Sequence, residues 1–342
     1  MSTHTIDGAG DVDAVEAIMR SGGPALRERM ARTEAHLEEV AAQAGVPLAS
    51  HATATVVAGG KRLRPLLVVL AAQAAGGPRD TAEGEETLVR AAVAVELVHS
   101  ATLVHDDVID GAHLRRGSPT VVATAGRATA VATGDVLFSR AFAELARNDS
   151  VAQLQALSDA SSALAAGELL QREDAYAAQV ALERYLRRCE LKTAALFEAA
   201  CRLGALVAVE GSRALADALG AFARRIGLAF QLFDDVLDVS GSEERMGKAR
   251  GTDLLDGTVT LPLILARERD AELASVDLAS LHTPEQAREL CERIAATGAL
   301  VEARAQALAL VEQAKAALPT SVAPGRTGLL DLVADAVVER YS

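Results

Sequence analysis

Tryptophan is missing from this sequence, and aromatic residues make up only 3% of it. Strands draw on aromatic and β-branched residues, so a β-rich core is a poor fit. Hydrophobic residues nonetheless reach 50%. They are largely Ala, Leu and Val, which suits helices packed through small and aliphatic side chains. Cationic charge is scarce as well: 34 Lys and Arg stand against 47 Asp and Glu, for a net charge of −13. That argues against nucleic acid as the main partner, because such a partner needs a basic footprint. Anions can be bound only locally, through a few Lys and Arg and through metal ions. Cysteine is also rare. Cys189, Cys201 and Cys291 are far apart and no pair has metal-ligand spacing, so they read as reduced helix thiols in a cytoplasmic protein.

Long uncharged apolar runs are lacking too. None reaches the roughly 18 residues of a membrane span; Arg90 and Glu96 interrupt one candidate and Arg127 the next. Met1 to Asp13 has neither the basic start nor the apolar run of a secretory signal. Residues 1–12 are expected to be a flexible tail and 13–342 one domain, since no composition shift divides the chain. No strand alternation persists anywhere, so the expected fold class is all-α. Helices are expected over 12–44, 48–75, 87–110, 135–147, 151–171, 181–208 and 212–239, with more from Leu261 and Pro284 onward. Gly59-Gly60 interrupts the second of these, Pro65 stands where a first helical turn tolerates it, and Leu66 to Ala75 continues the helix.

Against this background one pattern occurs twice. Asp106-Asp107-Val108-Ile109-Asp110 and Asp234-Asp235-Val236-Leu237-Asp238 each close a long apolar helix. Residues four apart share a helix face. Like charges at that spacing cost roughly 0.2–0.5 kcal/mol per pair, and more where water is scarce. Such clusters call for a counter-charge. If the two helices face each other, six carboxylates converge on one cavity. Magnesium is usually held by one or two carboxylates plus phosphate oxygens, so the pair suits a metal-bridged diphosphate. A solvated helix end would explain one copy but not two.

Cations lie where such a diphosphate would need them. In Gly59-Gly60-Lys61-Arg62-Leu63-Arg64-Pro65, glycines ahead of a helix let backbone amides approach an anion, with Lys61 and Arg64 adding charge. Arg115-Arg116-Gly117 follows the first Asp cluster, and two Arg there can clamp phosphate oxygens. Lys192-Thr193 lies among apolar residues. Gln231 is one turn before Asp235, and Gly247-Lys248 begins a charged, Gly-rich loop after the second cluster that could close over phosphates. His99, on the first apolar helix, reads by itself as a core histidine.

Taken together, Gly59 to Pro65, Glu96 to Gly117, Gly134-Asp135, Lys192-Thr193 with Gly204-Ala205, Phe230 to Asp238 and Gly247 to Pro262 resemble the trans-isoprenyl diphosphate synthases, the polyprenyl synthetases. The stretches span most of the chain in the family's order. The resemblance implies a bundle of antiparallel helices around a deep central cavity, usually a homodimer, and head-to-tail condensation of an allylic diphosphate with isopentenyl diphosphate. It implies that Asp106, Asp107, Asp110, Asp234, Asp235 and Asp238 hold Mg2+ against the allylic diphosphate. Arg115, Lys192, Gln231 and Lys248 would contact that diphosphate, while Lys61, Arg64, His99 and Arg116 would hold isopentenyl diphosphate. Thr193 and Gln231 would face the developing positive charge. Thr258 departs from the pattern, since many members carry Lys there, so one diphosphate contact is missing.

In short-chain members a bulky aromatic stands four or five residues before the first Asp cluster. Here those positions are Ala101 and Thr102. Ala101 is roughly 7.5 Å from Asp106 along the axis, at about 1.5 Å per residue. Small side chains there imply a product of geranylgeranyl length or longer, one whose release would call for a membrane or detergent. Two other readings compete. A class I terpene synthase also ionises allylic diphosphates, but it favours an aromatic-lined cavity and a different second metal motif. A non-catalytic partner subunit often lacks one Asp cluster, and both are intact here.

Overall fold

A computed structural model describes residues 9–115, 117–241, 250–319, 322 and 324–339. Helices account for nearly all of its regular structure. In chain order they are α1 (Ala9–Ser21), α2 (Gly23–Ala42), α3 (Ala49–Val57), α4 (Leu63–Ala74), α5 (Ala82–Asp110), α6 (Val121–Ala146), α7 (Val151–Asp174), α8 (Leu182–Cys189), α9 (Ala195–Val207), α10 (Arg213–Ser240), α11 (Thr252–Leu255), α12 (Leu261–Arg269), α13 (Ala271–Ala274), α14 (Pro284–Ala296), α15 (Ala299–Ala316) and α16 (Pro324–Glu339). Glu190–Ala194 joins α8 to α9 as one turn of π-helix, in which Ala195 N–H bonds back to the Glu190 carbonyl.

The core gathers around α5 and α10. α5 packs on α2, α4, α6 and α9, while α10 packs on α9, α15 and the π turn. Alanines make the close packing possible: Ala91, Ala92, Ala94 and Ala101 of α5 are fully buried, and short side chains let helix axes approach. Gly134 of α6 extends this, since a Cβ there would stand 2.2 Å from the His105 ring of α5. Both central helices are capped at their starts. The Thr81 hydroxyl accepts from Gly84 N–H ahead of α5, and the Ser212 hydroxyl accepts from Leu215 N–H ahead of α10. α5 stops at Gly111, whose φ of 62° is the left-handed conformation of a helix end. The Asp clusters therefore sit on C-terminal turns, where the helix dipole adds to their negative charge.

Three expectations need correction. The single helix expected over 12–44 is two, because Gly23 has a φ of 73° and Pro24 follows it at the start of α2. Helix also begins at Ala9, inside the stretch expected to be a tail. Strand is not wholly absent: Leu114–Arg115 pairs antiparallel with Ser118–Pro119 in a short hairpin around Gly117. As expected, charges interrupt the apolar run of α5; it is long and apolar enough to cross a membrane by length and composition alone, but 72% of its most apolar stretch is buried within the bundle. It is the central core helix.

Candidate active site

The ends of α5 and α10 open on one cavity of about 550 Å³. Asp106 and Asp110 line it from α5, and Asp234 and Asp235 from α10. The convergence read from the sequence thus holds for four of the six carboxylates. Asp107 and Asp238 turn elsewhere. Asp107 is buried and accepts from Arg115 Nε at 2.7 Å, which fixes the hairpin that carries Arg115. Asp238 is buried and accepts from the Asp253 backbone N–H at 3.2 Å, while its own carbonyl takes Gly251 N–H. It anchors the segment that returns to the cavity after α10. The i, i+4 rule places Asp106 and Asp110 together, but Asp107 of the first cluster and Asp238 of the second answer to neighbours that only the tertiary fold supplies.

Burial has electrostatic consequences. The Asp106 carboxyl is pushed up to about 6, first by burial and then by Glu168 and Asp110, against the pull of Lys192. Burial also raises Asp107, with Arg115 opposing. Asp235 is raised by burial and by Asp234, although the Tyr185 phenol and the Gln231 amide both donate to it. Those donors belong to a chain of contacts. The Thr193 hydroxyl donates to Gln231 Oε1 at 2.8 Å, Gln231 Nε2 donates to Asp235 Oδ1 at 2.8 Å, and the Tyr185 hydroxyl donates to Asp235 Oδ2 at 2.6 Å. The Gln231 amide is therefore held in one orientation.

Lys192 is half-buried in the cavity wall, with Nζ 2.5 Å from Glu168 Oε2 of α7. It can sit there because Gly167 lets α7 approach the π turn: a Cβ at that position would lie 2.6 Å from Lys192 N. Sequence reading missed Glu168, Arg172, Asp174, Tyr185 and Arg188. One signal was available. In a chain so poor in aromatics, Tyr185, Arg188 and Lys192 recur at helical spacing and so share a face.

Lys61, Arg64 and His99 do not line this cavity. Lys61 is exposed before α4, and the Arg64 guanidinium lies 5.1 Å from the centre of the Phe197 ring. His99 is half-buried on α5. Arg62, between the two cations, has a structural task instead: it pairs with Glu34 and Glu96 and donates to the Val56 carbonyl. Arg116 and Gly247-Lys248 lie outside the described residues. Thr258 does line the cavity. Ala101 is buried, and the Thr102 hydroxyl is turned back on the His99 carbonyl at 2.8 Å.

Among the described residues, six Asp (106, 110, 234, 235, 253 and 256) and four cations (Arg115, Arg172, Arg188 and Lys192) line the cavity. A diphosphate would meet an excess of negative charge there, so it needs added cations to bind. No group of three His, Cys, Asp or Glu among the described residues is placed to hold an ion unaided. The donors that do face the cavity are carboxylate oxygens, the ligand type that suits Mg2+ alongside water and phosphate oxygens.

An all-helical bundle with paired aspartate-bearing helix ends and facing cations has the makings of a diphosphate-processing enzyme. The polyprenyl synthetase family model matches residues 46–298. Over 251 residues the chain is 40% identical to "Heptaprenyl diphosphate synthase component 2" of Geobacillus stearothermophilus, covering 73% of this chain and 76% of that one. It is 37% identical over 291 residues to the geranylgeranyl diphosphate synthase of Methanosarcina mazei, covering 83% and 87%. Its structure is similar to the Caulobacter crescentus polyprenyl synthase solved with calcium and isoprenyl diphosphate, with a TM-score of 0.81, 35% identity and 100% of both chains covered. This chain belongs to the polyprenyl synthetase family and is a trans-prenyltransferase.

Proposed function

We propose that this enzyme condenses an allylic diphosphate head-to-tail with isopentenyl diphosphate, with Mg2+, to give an all-trans polyprenyl diphosphate of geranylgeranyl length or longer. The observation that carries the proposal is the meeting of Asp106, Asp110, Asp234 and Asp235 with Arg115 and Lys192 in one cavity. Asp106 and Asp110 from one helix, and Asp234 and Asp235 from the other, would hold the metal. When bound, Mg2+ supplies the positive charge that joins these carboxylates to the diphosphate and stabilises it as it departs.

The chain's own groups do the rest. Arg115 and Lys192 bind the phosphate oxygens and orient the allylic C–O bond over the cavity. As that bond breaks, its electron pair leaves with the diphosphate and the allyl group becomes cationic. The double bond of isopentenyl diphosphate attacks the cation to form the new C–C bond. The released diphosphate accepts the proton lost in restoring a double bond. Gln231 Oε1, fixed by Thr193, and the Thr193 backbone present negative dipoles toward the charge. Lys61, Arg64, His99 and Arg116 hold isopentenyl diphosphate, and Lys248 contacts the allylic diphosphate. Water has to be kept from the cation, which it would quench, so the growing chain calls for an apolar tunnel beyond the carboxylates.

Small side chains at Ala101 and Thr102 support a long product. We place the enzyme in the cytoplasm as a homodimer. A second reading has one specific observation behind it: the Geobacillus relative is named as one component of a synthase, so this chain could act with a second subunit. Incubating the purified chain alone with labelled isopentenyl diphosphate, an allylic primer and Mg2+ tests both. Incorporation that a chelator abolishes supports the proposal. Incorporation only after adding a second subunit supports the other reading, and turnover of primer without isopentenyl diphosphate would point to a terpene synthase.

A further inference from the structure

Four cations line the cavity among the described residues, and the sequence reading accounts for only Arg115 and Lys192. Of the other two, Arg172 pairs with Asp110 and Glu168 and is 40% exposed. Arg188 differs. It is 3% exposed, yet it lines the same cavity one turn before Lys192. A guanidinium so far from water is costly unless its donors are met. Nη2 donates to the Val259 carbonyl at 2.5 Å, and Nη1 lies 3.5 Å from Asp174 Oδ2. The second contact is long for a charge-assisted hydrogen bond. Asp174 also takes Arg184 Nε at 2.5 Å, so its charge is shared between two arginines. The Tyr185 ring, 5.4 Å from the guanidinium carbon, steadies the group.

Val259 gives this placement its meaning. It stands between Thr258 and Thr260, both in the cavity wall, and Thr252, Asp253 and Asp256 join them there. Among the described residues this segment brings two carboxylates to the wall and no cation. Arg188 is bound to the segment's backbone and sets a positive charge where the segment itself supplies none.

We propose that Arg188 is a further diphosphate-binding residue, taking phosphate oxygens of the allylic substrate beside Thr258. This rests on the assignment of the cavity to an allylic diphosphate. A guanidinium has five donors in a planar fork suited to phosphate. With Val259 using one and Asp174 engaged at long range, the fork keeps donors to offer. When Arg188 turns to phosphate, Arg184 remains to neutralise Asp174, so the fold keeps that carboxylate paired.

The test uses the full chain with Arg188→Gln, Arg188→Lys, and Arg188→Gln combined with Thr258→Lys. Three quantities are measured: KM for each substrate, calorimetric binding of inorganic pyrophosphate with Mg2+, and thermal stability. Arg188→Gln raises the allylic KM and the pyrophosphate Kd roughly ten- to hundredfold, as loss of a charged hydrogen bond does, while the isopentenyl diphosphate KM stays within about twofold. Arg188→Lys keeps part of the affinity, and Thr258→Lys restores much of what Arg188→Gln loses. Unchanged pyrophosphate binding in a folded Arg188→Gln variant overturns the proposal. So does a loss confined to thermal stability that Thr258→Lys does not relieve. If the wild type binds pyrophosphate but never incorporates isopentenyl diphosphate, the prenyltransferase reading falls, and the variants' pyrophosphate affinities still decide the role of Arg188.

Discussion

Arg172 of α7 closes an ion pair with Asp110, the last residue of α5. It also lies 3.4 Å from Glu168, which in turn holds Lys192. Cations and carboxylates are thus interleaved around the cavity, and the protein supplies a counter-charge to Asp110 from its own chain. Arg172→Leu removes that counter-charge. Both partners are substantially exposed, so we expect at most about 1 kcal/mol of lost stability without metal. The rise in Tm on adding Mg2+ with pyrophosphate should be larger than in the wild type, since Asp110 becomes open to the ion. Paired thermal melts with and without Mg2+ check this; an equal or smaller rise counts against it.

Asp106 gives a pH prediction. Burial pushes its carboxyl up to about 6, whereas in an unfolded chain an aspartate titrates near 4, at about 3.9. Between roughly pH 4 and 6 the folded protein holds a proton that the unfolded chain has lost. The contribution of Asp106 to stability therefore falls as pH rises through that window, and the penalty is fully present above it. Asp106→Asn should stabilise the metal-free protein at pH 7.5 and abolish activity. Its advantage should vanish below about pH 4. A wild type and variant whose stability difference does not change with pH would contradict this.

Tyr185→Phe removes the phenol that donates to Asp235. Asp235 is buried, so the loss should cost about 1–3 kcal/mol, the penalty for a buried group left short of a partner. Urea unfolding of the metal-free protein measures it. A change below about 0.5 kcal/mol would mean that water replaces the phenol.

Gly167→Ala tests how α7 positions Lys192. The added methyl would lie 2.6 Å from Lys192 N and 2.9 Å from Leu191 Cβ, and backbone cannot swing aside as a flexible side chain can. Overpacking of this kind typically costs about 1–3 kcal/mol. Activity should fall more than the stability loss explains, because Lys192 is displaced from the cavity wall. Full activity in a folded variant would show that the two helices need not meet this closely.

Much of this architecture was legible in the sequence. The periodic apolar runs ending at Asp110 and near Asp238, the break at Gly59-Gly60 and the tolerance of Pro65 all follow from local rules. The convergence of Asp106 and Asp110 with Asp234 and Asp235 followed from the repeated pattern and the family resemblance. What local rules do not carry is which partner each side chain finds. Asp107 and Asp238 share a motif with their neighbours, yet one is held by a hairpin arginine and the other by a backbone amide 15 residues on. The break at Gly22-Gly23, the π turn beneath Lys192 and the buried Arg188 depend on α7, α8 and the segment around Val259 meeting in space. Lys61, Arg64 and His99 came from the resemblance, and they stand apart from the carboxylate-lined cavity.

On the proposed function the two aspartate-bearing helix ends serve a growing prenyl chain, and the small side chains at Ala101 and Thr102, which do not line the described cavity, would let that chain grow past α5. Chromatography of the products formed by the purified chain from labelled isopentenyl diphosphate, an allylic primer and Mg2+ tests it most directly, with Ala101→Phe run alongside. The wild type should release a product of geranylgeranyl length or longer, and Ala101→Phe should shorten it. Farnesyl diphosphate as the dominant wild-type product, or no incorporation at all, would contradict the account.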